Sequence, residues 1–161
     1  MKTKPIAEEQ SVHRAFRIDE LHIDSVDRDE LDEIRVMNEI IFGERRLINR
    51  LDHDDMIILI ARLQEMPVGF KIGYGTSRTE FYSAKGGILM PYRRQGIARR
   101  MLHYMIMESR KLGYTTFSYD TFPNRDRGML ILGLNEGFKV TSAHFDQRYG
   151  DYQLRLERKM R

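Results

Sequence analysis

The chain has 161 residues, a length that suits one domain with a buried core, and its 41% apolar and 32% charged residues are ordinary for a globular protein. Its 27 basic and 24 acidic residues leave a net charge of +3, which suits an anionic ligand and lacks the excess of a nucleic-acid binder. The absence of cysteine excludes disulfides, thiolate metal sites and a cysteine nucleophile. No apolar run approaches the ~18 residues of a membrane span, and Met1-Lys2-Thr3-Lys4-Pro5 lacks the apolar core of a signal peptide, so a cytoplasmic location is the simplest expectation.

Residues 1–14 are polar and aperiodic and read as a loose arm. Within residues 20–25, Leu21 and Ile23 alternate with polar residues, the pattern of a short strand. Asp27 and Glu30 have the spacing of an acidic capping box, opening a helix with apolar positions at Leu31, Ile34, Met37, Ile40 and Ile41 and an end at Gly43. A short basic helix over residues 44–51 follows. Residues 55–63 read as a buried strand, Glu65-Met66-Pro67 as a turn, and residues 68–74 and 79–90 as two more strands of an antiparallel meander. A helix from Gln95 to about Leu112 buries Ile97, Met101, Met105 and Leu112, with Ala98, Leu102 and Ile106 alongside, and Gly113 stops it. Residues 114–121 form a strand and residues 126–136 a helix closed by Gly137. Residues 138–145 and 152–157 form a hairpin across Arg148-Tyr149-Gly150-Asp151. There is no linker or repeat, so residues 1–161 make a single domain of the α/β (α+β) class: strand, two helices, three strands, helix, strand, helix, two strands.

The most informative stretch is Tyr92-Arg93-Arg94-Gln95-Gly96-Ile97-Ala98, between the apolar segment Gly87-Ile88-Leu89-Met90 and the long amphipathic helix. The first N–H groups of a helix have no intrahelical partner, and the helix dipole favours an anion there. Gly96 lets the backbone approach a ligand, and the arginines add charge-assisted hydrogen bonds. Arg93, Arg94, Arg99 and Arg100 also fit a merely solvated basic helix start.

With these elements in this order, the chain resembles the GNAT superfamily of N-acetyltransferases over about residues 20–160. Arg93-x-x-Gly96-x-Ala98 satisfies that family's acetyl-CoA signature, Gln/Arg-x-x-Gly-x-Gly/Ala. Phe81-Tyr82-Ser83-x-x-Gly86-Gly87-Ile88-Leu89 resembles one GNAT subgroup, and the segment from Asn124 to Phe138 ends in Gly-Phe like the family's last helix. The resemblance implies a mixed, mostly antiparallel sheet flanked by helices, and acetyl-CoA as cosubstrate with no metal. It implies that the backbone of Leu89 and Met90 pairs with the pantetheine arm. The amides of Arg94, Gln95, Gly96, Ile97, Ala98 and Arg99 then cradle the pyrophosphate, and Asn124, Met129 and Leu132 border the thiol end. Many GNATs carry a tyrosine on the last helix that protonates the leaving thiolate, and here that position falls on Gly133. Gly133 motivates an alternative reading, an acyl-CoA sensor without turnover, and its small size suggests room for an acyl group larger than acetyl. The Pro91-Tyr92-Arg93 loop is about one residue shorter than the family's.

Acetyl transfer to an amine needs a polarised carbonyl, a proton acceptor and a thiolate that can leave. Glu80 and Tyr82 lie two apart on one strand and share a face, and Asp120 ends the neighbouring strand. Asp120 and Glu80 are therefore candidate proton acceptors and Tyr82 an orienter or alternative acid. The absence of cysteine fits direct transfer in a ternary complex. The acceptor is a small-molecule or peptide amine of open charge: Asp52-His53-Asp54-Asp55 would recruit a cation or mark a turn, whereas Arg45, Arg46 and Arg50 would favour an acid. The histidines show no metal-ligand spacing and read as surface residues, and the methionines of the long helix read as core. No nucleic-acid or membrane partner is expected. Phe145, Tyr149 and Tyr152 of the last hairpin suit either the core or a homodimer contact.

Overall fold

The computed structural model describes residues 16–160, so the arm expected over residues 1–14 lies outside them. A 3-10 turn, Ile18–Glu20, leads into β1 (Leu21–Ser25), α1 (Asp32–Phe42), β2 (Ile57–Leu63), β3 (Met66–Gly75) and β4 (Glu80–Ile88). A second 3-10 turn, Met90–Tyr92, precedes α2 (Ile97–Lys111), β5 (Thr116–Thr121), α3 (Gly128–Asn135), β6 (Lys139–Asp146) and β7 (Asp151–Lys159). The strands make one sheet in the order β1-β2-β3-β4-β5-β7-β6. Neighbours are antiparallel throughout, save for the parallel pair β4 and β5. The class is the expected one, a mostly antiparallel sheet between helices.

The continuous apolar run of β2 reflects burial on both faces of the sheet. Ile58 and Ile60 point to one face, where with Phe70 and Ile72 they meet Leu31, Ile34 and Met37 of α1 and its approach. Leu59 and Ala61 point to the other, where Phe81, Phe117 and Leu156 pack against Ile97, Met101, Leu102 and Met105 of α2. Met129, Leu130 and Leu132 of α3 close that second core at its edge.

Four local expectations are corrected. Asp27 and Glu30 form a turn, Glu30 N donating to Asp27 O at 3.0 Å, and α1 starts after Leu31 with no side-chain cap. The stripe ends sooner than its periodicity implies: Ile40 is 67% exposed, and Leu112, just past the end of α2, is 52% exposed. The β2–β3 turn falls on Gln64 and Glu65, with φ of 48° and 68°. Such left-handed pairs match the twist of a two-residue hairpin, and Pro67 sits in β3 beside a register shift, where it need donate no ladder bond.

Residues 44–51 are not helical. Asn38, fully buried on α1, donates through Nδ2 to the carbonyls of Glu44 and Arg46. Lys85 Nζ donates to Glu44 Oε1 at 2.8 Å and to Arg46 O at 3.2 Å. These bonds take carbonyls that a helix would use, while Leu47 turns into the core. The three arginines share no face: Arg45 pairs with Glu39, Arg46 donates to Asn49, and Arg50 pairs with Asp52. Phe145, Tyr149 and Tyr152 are each about half exposed and stand outside the core. Among the described residues no helix is long and apolar enough to cross a membrane.

Candidate active site

β4 and β5 pair from Glu80 opposite Thr116 to Ser83 opposite Tyr119, and then separate. The cause lies in β4. Gly73 of β3 pairs with Ser83 while Ile72 pairs with Lys85, so Ala84 is an extra residue, and such a bulge bends its strand. β5 instead keeps to β7, with Asp120 opposite Arg155 and Thr121 opposite Leu154. Residues 84–88 of β4 therefore border a gap, and the sheet ladder leaves their backbone groups on that edge unpaired. Of the expected edge, Leu89 is engaged through both its backbone groups and Met90 through its carbonyl. Leu89 N donates to Val68 O, Tyr92 N to Leu89 O and Arg93 N to Met90 O. The open edge stands just before them because the chain turns at Leu89 into the Met90–Tyr92 helix turn, which carries Pro91.

On the α2 side of this gap, six successive amides, from Arg94 to Arg99, donate to no other group among the described residues; the first bond onto the helix is Arg100 N to Gly96 O. Arg94 and Gly96 have φ of 59° and 88°, which turns the amides outward into an anion nest. Arg93 braces the strand end, Nε donating to Ile88 O at 2.8 Å, so its side chain is not a free phosphate ligand. Ile18, Gly96, Arg99, Arg100 and His103 line a shallow cleft beside the nest.

Glu136, just past α3, pairs with two of these lining residues, 2.5 Å from both Arg99 Nε and His103 Nε2. The His103 hydrogen bond outweighs desolvation and, with Arg99, holds the carboxyl below its ordinary 4.5. A depressed carboxylate contributes stability that is present above its unfolded pKa and lost as pH falls through the folded one. Urea unfolding between about pH 6 and 3 should therefore show a loss of stability below ~4.5 that Glu136→Gln reduces.

On the α1 face, the three candidate residues are brought together. Tyr82 donates its hydroxyl to Asp120 Oδ2 at 2.9 Å. Arg155 reaches Asp120 with two bonds, Nε to Oδ1 at 2.8 Å and Nη2 to Oδ2 at 2.9 Å, and its Nη1 lies 3.8 Å from Glu80 Oε1. Thr76 Oγ1 donates to Glu80 Oε2 at 3.0 Å. Burial, then the charge of Asp120, pushes the Tyr82 phenol well up, and the Asp120 hydrogen bond pushes the guanidinium of Arg155 up. Tyr74 sets its ring edge-on to Tyr82 at 5.8 Å, and His53 stacks flat on Tyr74 at 3.6 Å. Arg155, Tyr74 and His53 are the members that sequence reasoning missed. The acidic run beside His53 serves as a turn, with Asp52 on Arg50 and Asp55 accepting the Tyr114 hydroxyl at 2.6 Å.

The expected thiol-end residues are less available. Asn124 donates to Asp151 Oδ1 at 2.9 Å. Met129 accepts the Tyr119 hydroxyl on its carbonyl at 2.7 Å, and Leu132 is half-buried at the core edge. Gly133 offers no empty space: a Cβ there would collide with the Tyr119 hydroxyl and stand 2.7 Å from Leu156 Cδ2. The expectation of added acyl room at Gly133 is corrected accordingly.

No family model and no curated protein matches the sequence. Solved structures match the fold. An acetyltransferase of the GNAT family from Streptococcus pneumoniae superposes with a TM-score of 0.72 at 12% identity, over 88% of this chain and 100% of its own. The chain has the GNAT fold. A GNAT family acetyltransferase from Elizabethkingia anophelis, solved with acetyl-CoA bound, gives 0.67 at 13% identity over 88% and 99% of the two chains. Arabidopsis thaliana Naa50, in complex with the bisubstrate analogue CoA-Ac-MVNAL, gives 0.73 at 16% identity over the same shares.

Proposed function

We propose that the protein is an N-acetyltransferase that moves an acetyl group from acetyl-CoA directly to an amine. The observation that carries this reading is the gap between β4 and β5 beside six amides at the start of α2 that donate to no group among the described residues. The donor set fits the cosubstrate. The amides of Arg94 to Arg99 suit a pyrophosphate, and the side chains of Arg94 and Arg100 lie exposed next to them. The free edge of residues 84–88 suits an arm with amide groups. GNAT-fold neighbours solved with acetyl-CoA or a CoA bisubstrate analogue support the same use of the fold.

Asp120 directly follows the last β4–β5 pair and so stands where the gap begins. It takes the proton shed by the acceptor nitrogen, directly or through a water. Both its oxygens already accept hydrogen bonds, so Arg155 and Tyr82 fix its position. Tyr82, held in its neutral form, is an orienter rather than an acid. Glu80 is the second acceptor candidate, farther from the gap. Two carboxylates against one guanidinium favour a cationic amine, from a small molecule or a peptide end.

Calorimetric titration with acetyl-CoA and CoA, followed by a panel of small and peptide amines, tests the reading; a folded protein that binds neither nucleotide would overturn it. Asp120→Asn is expected to lower kcat by about 10²–10³ with CoA affinity unchanged. The sensor alternative draws on the crowded Gly133, and tight binding without transfer to any amine would favour it.

A further inference from the structure

This inference rests on the acetyl-transfer reading, in which CoA held by the amides at the start of α2 brings its sulfur to the α2 side of the gap, where the leaving thiolate needs a proton. The Gly133 position supplies none, and Tyr119, which fills its space, already donates its proton to Met129 O. Among the described residues, one buried cation stands on that face of the sheet. Lys71 of β3 is 6% exposed, in register with Leu59 of the α2 core on one side and Gly86 of β4 on the other.

Gly86 lies on the part of β4 that has left β5, and it is open to solvent. Lys71 Cγ lies 3.4 Å from where a Gly86 Cβ would stand, so the lysine leans on the bare glycine that borders the gap. Its other sides are closed by apolar groups. A Cβ on Gly69 would meet Ile88 Cδ1 at 2.6 Å, and one on Gly73 would meet Phe81 and Met105 at 2.6 and 2.9 Å. Arg99, Arg100 and His103 of α2 occupy exposed positions, and the ion pairs of the described residues do not include Lys71. Ser83, 6% exposed opposite Gly73, is the neighbouring polar side chain; its hydroxyl can relay a proton. A buried ammonium without an anion is costly, and residues that keep one commonly use it.

We propose that Lys71 is the acid for the leaving sulfur, on the opposite face of the sheet from Asp120. The acceptor, which arrives as an ammonium and first gives one proton to solvent, forms the C–N bond as the amine and sheds a second proton to Asp120. As the C–S bond breaks, its electron pair stays on sulfur and Lys71 Nζ gives that sulfur a proton. Water then carries the proton of Asp120 back to Lys71, leaving an amide and the CoA thiol. Burial pushes the Lys71 ammonium down to about 8, close to an ordinary thiol near 8.5, so the transfer is nearly balanced.

The test is the ultraviolet thiolate absorbance of CoA bound to the full chain, titrated with pH. In the wild type the bound thiol should ionise about one unit below free CoA, roughly tenfold more thiolate at a given pH. Lys71→Met should abolish the shift and Lys71→Arg should keep it. A bound thiol that titrates like free CoA overturns the proposal from the wild type alone, whatever the variants' folding. A shift that survives in a folded Lys71→Met also overturns it, and leaves the CoA site intact. Failure of the wild type to bind CoA removes the acetyl-transfer reading and this inference together.

Discussion

Gly96→Glu is expected to remove CoA binding while the fold survives. Gly96 has φ of 88°, a conformation that costs another residue about 1–2 kcal/mol. Space is not the obstacle, since the nearest atom to a Cβ there is Ile18 Cδ1 at 3.9 Å. The new carboxylate would stand before the free amides of residues 94–99 and take the anion's place, attracted by the same donors and the same helix dipole. Affinity for CoA should fall by at least about 100-fold, near 2.8 kcal/mol. Gly96→Ala imposes the backbone cost without the charge and should stay within about tenfold of the wild type, or ~1.4 kcal/mol. Calorimetry with both variants, alongside circular dichroism, separates the two effects. Binding by a folded Gly96→Glu at wild-type strength would mean that the amides hold no phosphate.

What could be read from the chain follows the range of the interactions involved. The nest was legible because its parts are contiguous: an apolar strand, a basic turn with Gly96, and a helix. The meander was legible for the same reason. Residues 44–51 have helical composition, yet Asn38 decides their conformation from six and eight positions away. A clue existed, because Asn38 lies next to Met37 on the buried stripe of α1, and a buried amide must find acceptors. Arg155 could not be found in this way. It reaches Asp120 only because β7 pairs with β5 in one register, across 35 residues of sequence. A one-residue slip would turn it to the opposite face. His53 was hidden likewise, since its role depends on stacking against Tyr74. Lys71 stood in plain view in an otherwise apolar strand. Its place beside the gap depends on the bulge at Ala84, which local sequence does not announce.

Gly133→Ala is expected to destabilise the protein by about 3 kcal/mol, a large effect for one methyl group. The cause is the Tyr119 hydroxyl, which occupies the space of that Cβ and caps the Met129 carbonyl of α3. The methyl must push the phenol aside, break its hydrogen bond and crowd Leu156, all in a buried layer of the core. Tyr119→Phe alone should cost about 1 kcal/mol for the lost hydrogen bond. In the Tyr119→Phe background the alanine would meet the ring carbon at 3.1 Å, a contact that small shifts relieve. The double variant should therefore be more stable than the two single losses sum to, by about 1 kcal/mol or more in a denaturant-unfolding cycle. Additive losses would show that the Tyr119 hydroxyl does not fill this space. Coupling would establish that a tyrosine at position 133 and a tyrosine at position 119 exclude each other. On the proposed acetyl transfer, a chain that has committed to Tyr119 draws the proton for the leaving sulfur from another element of the same face.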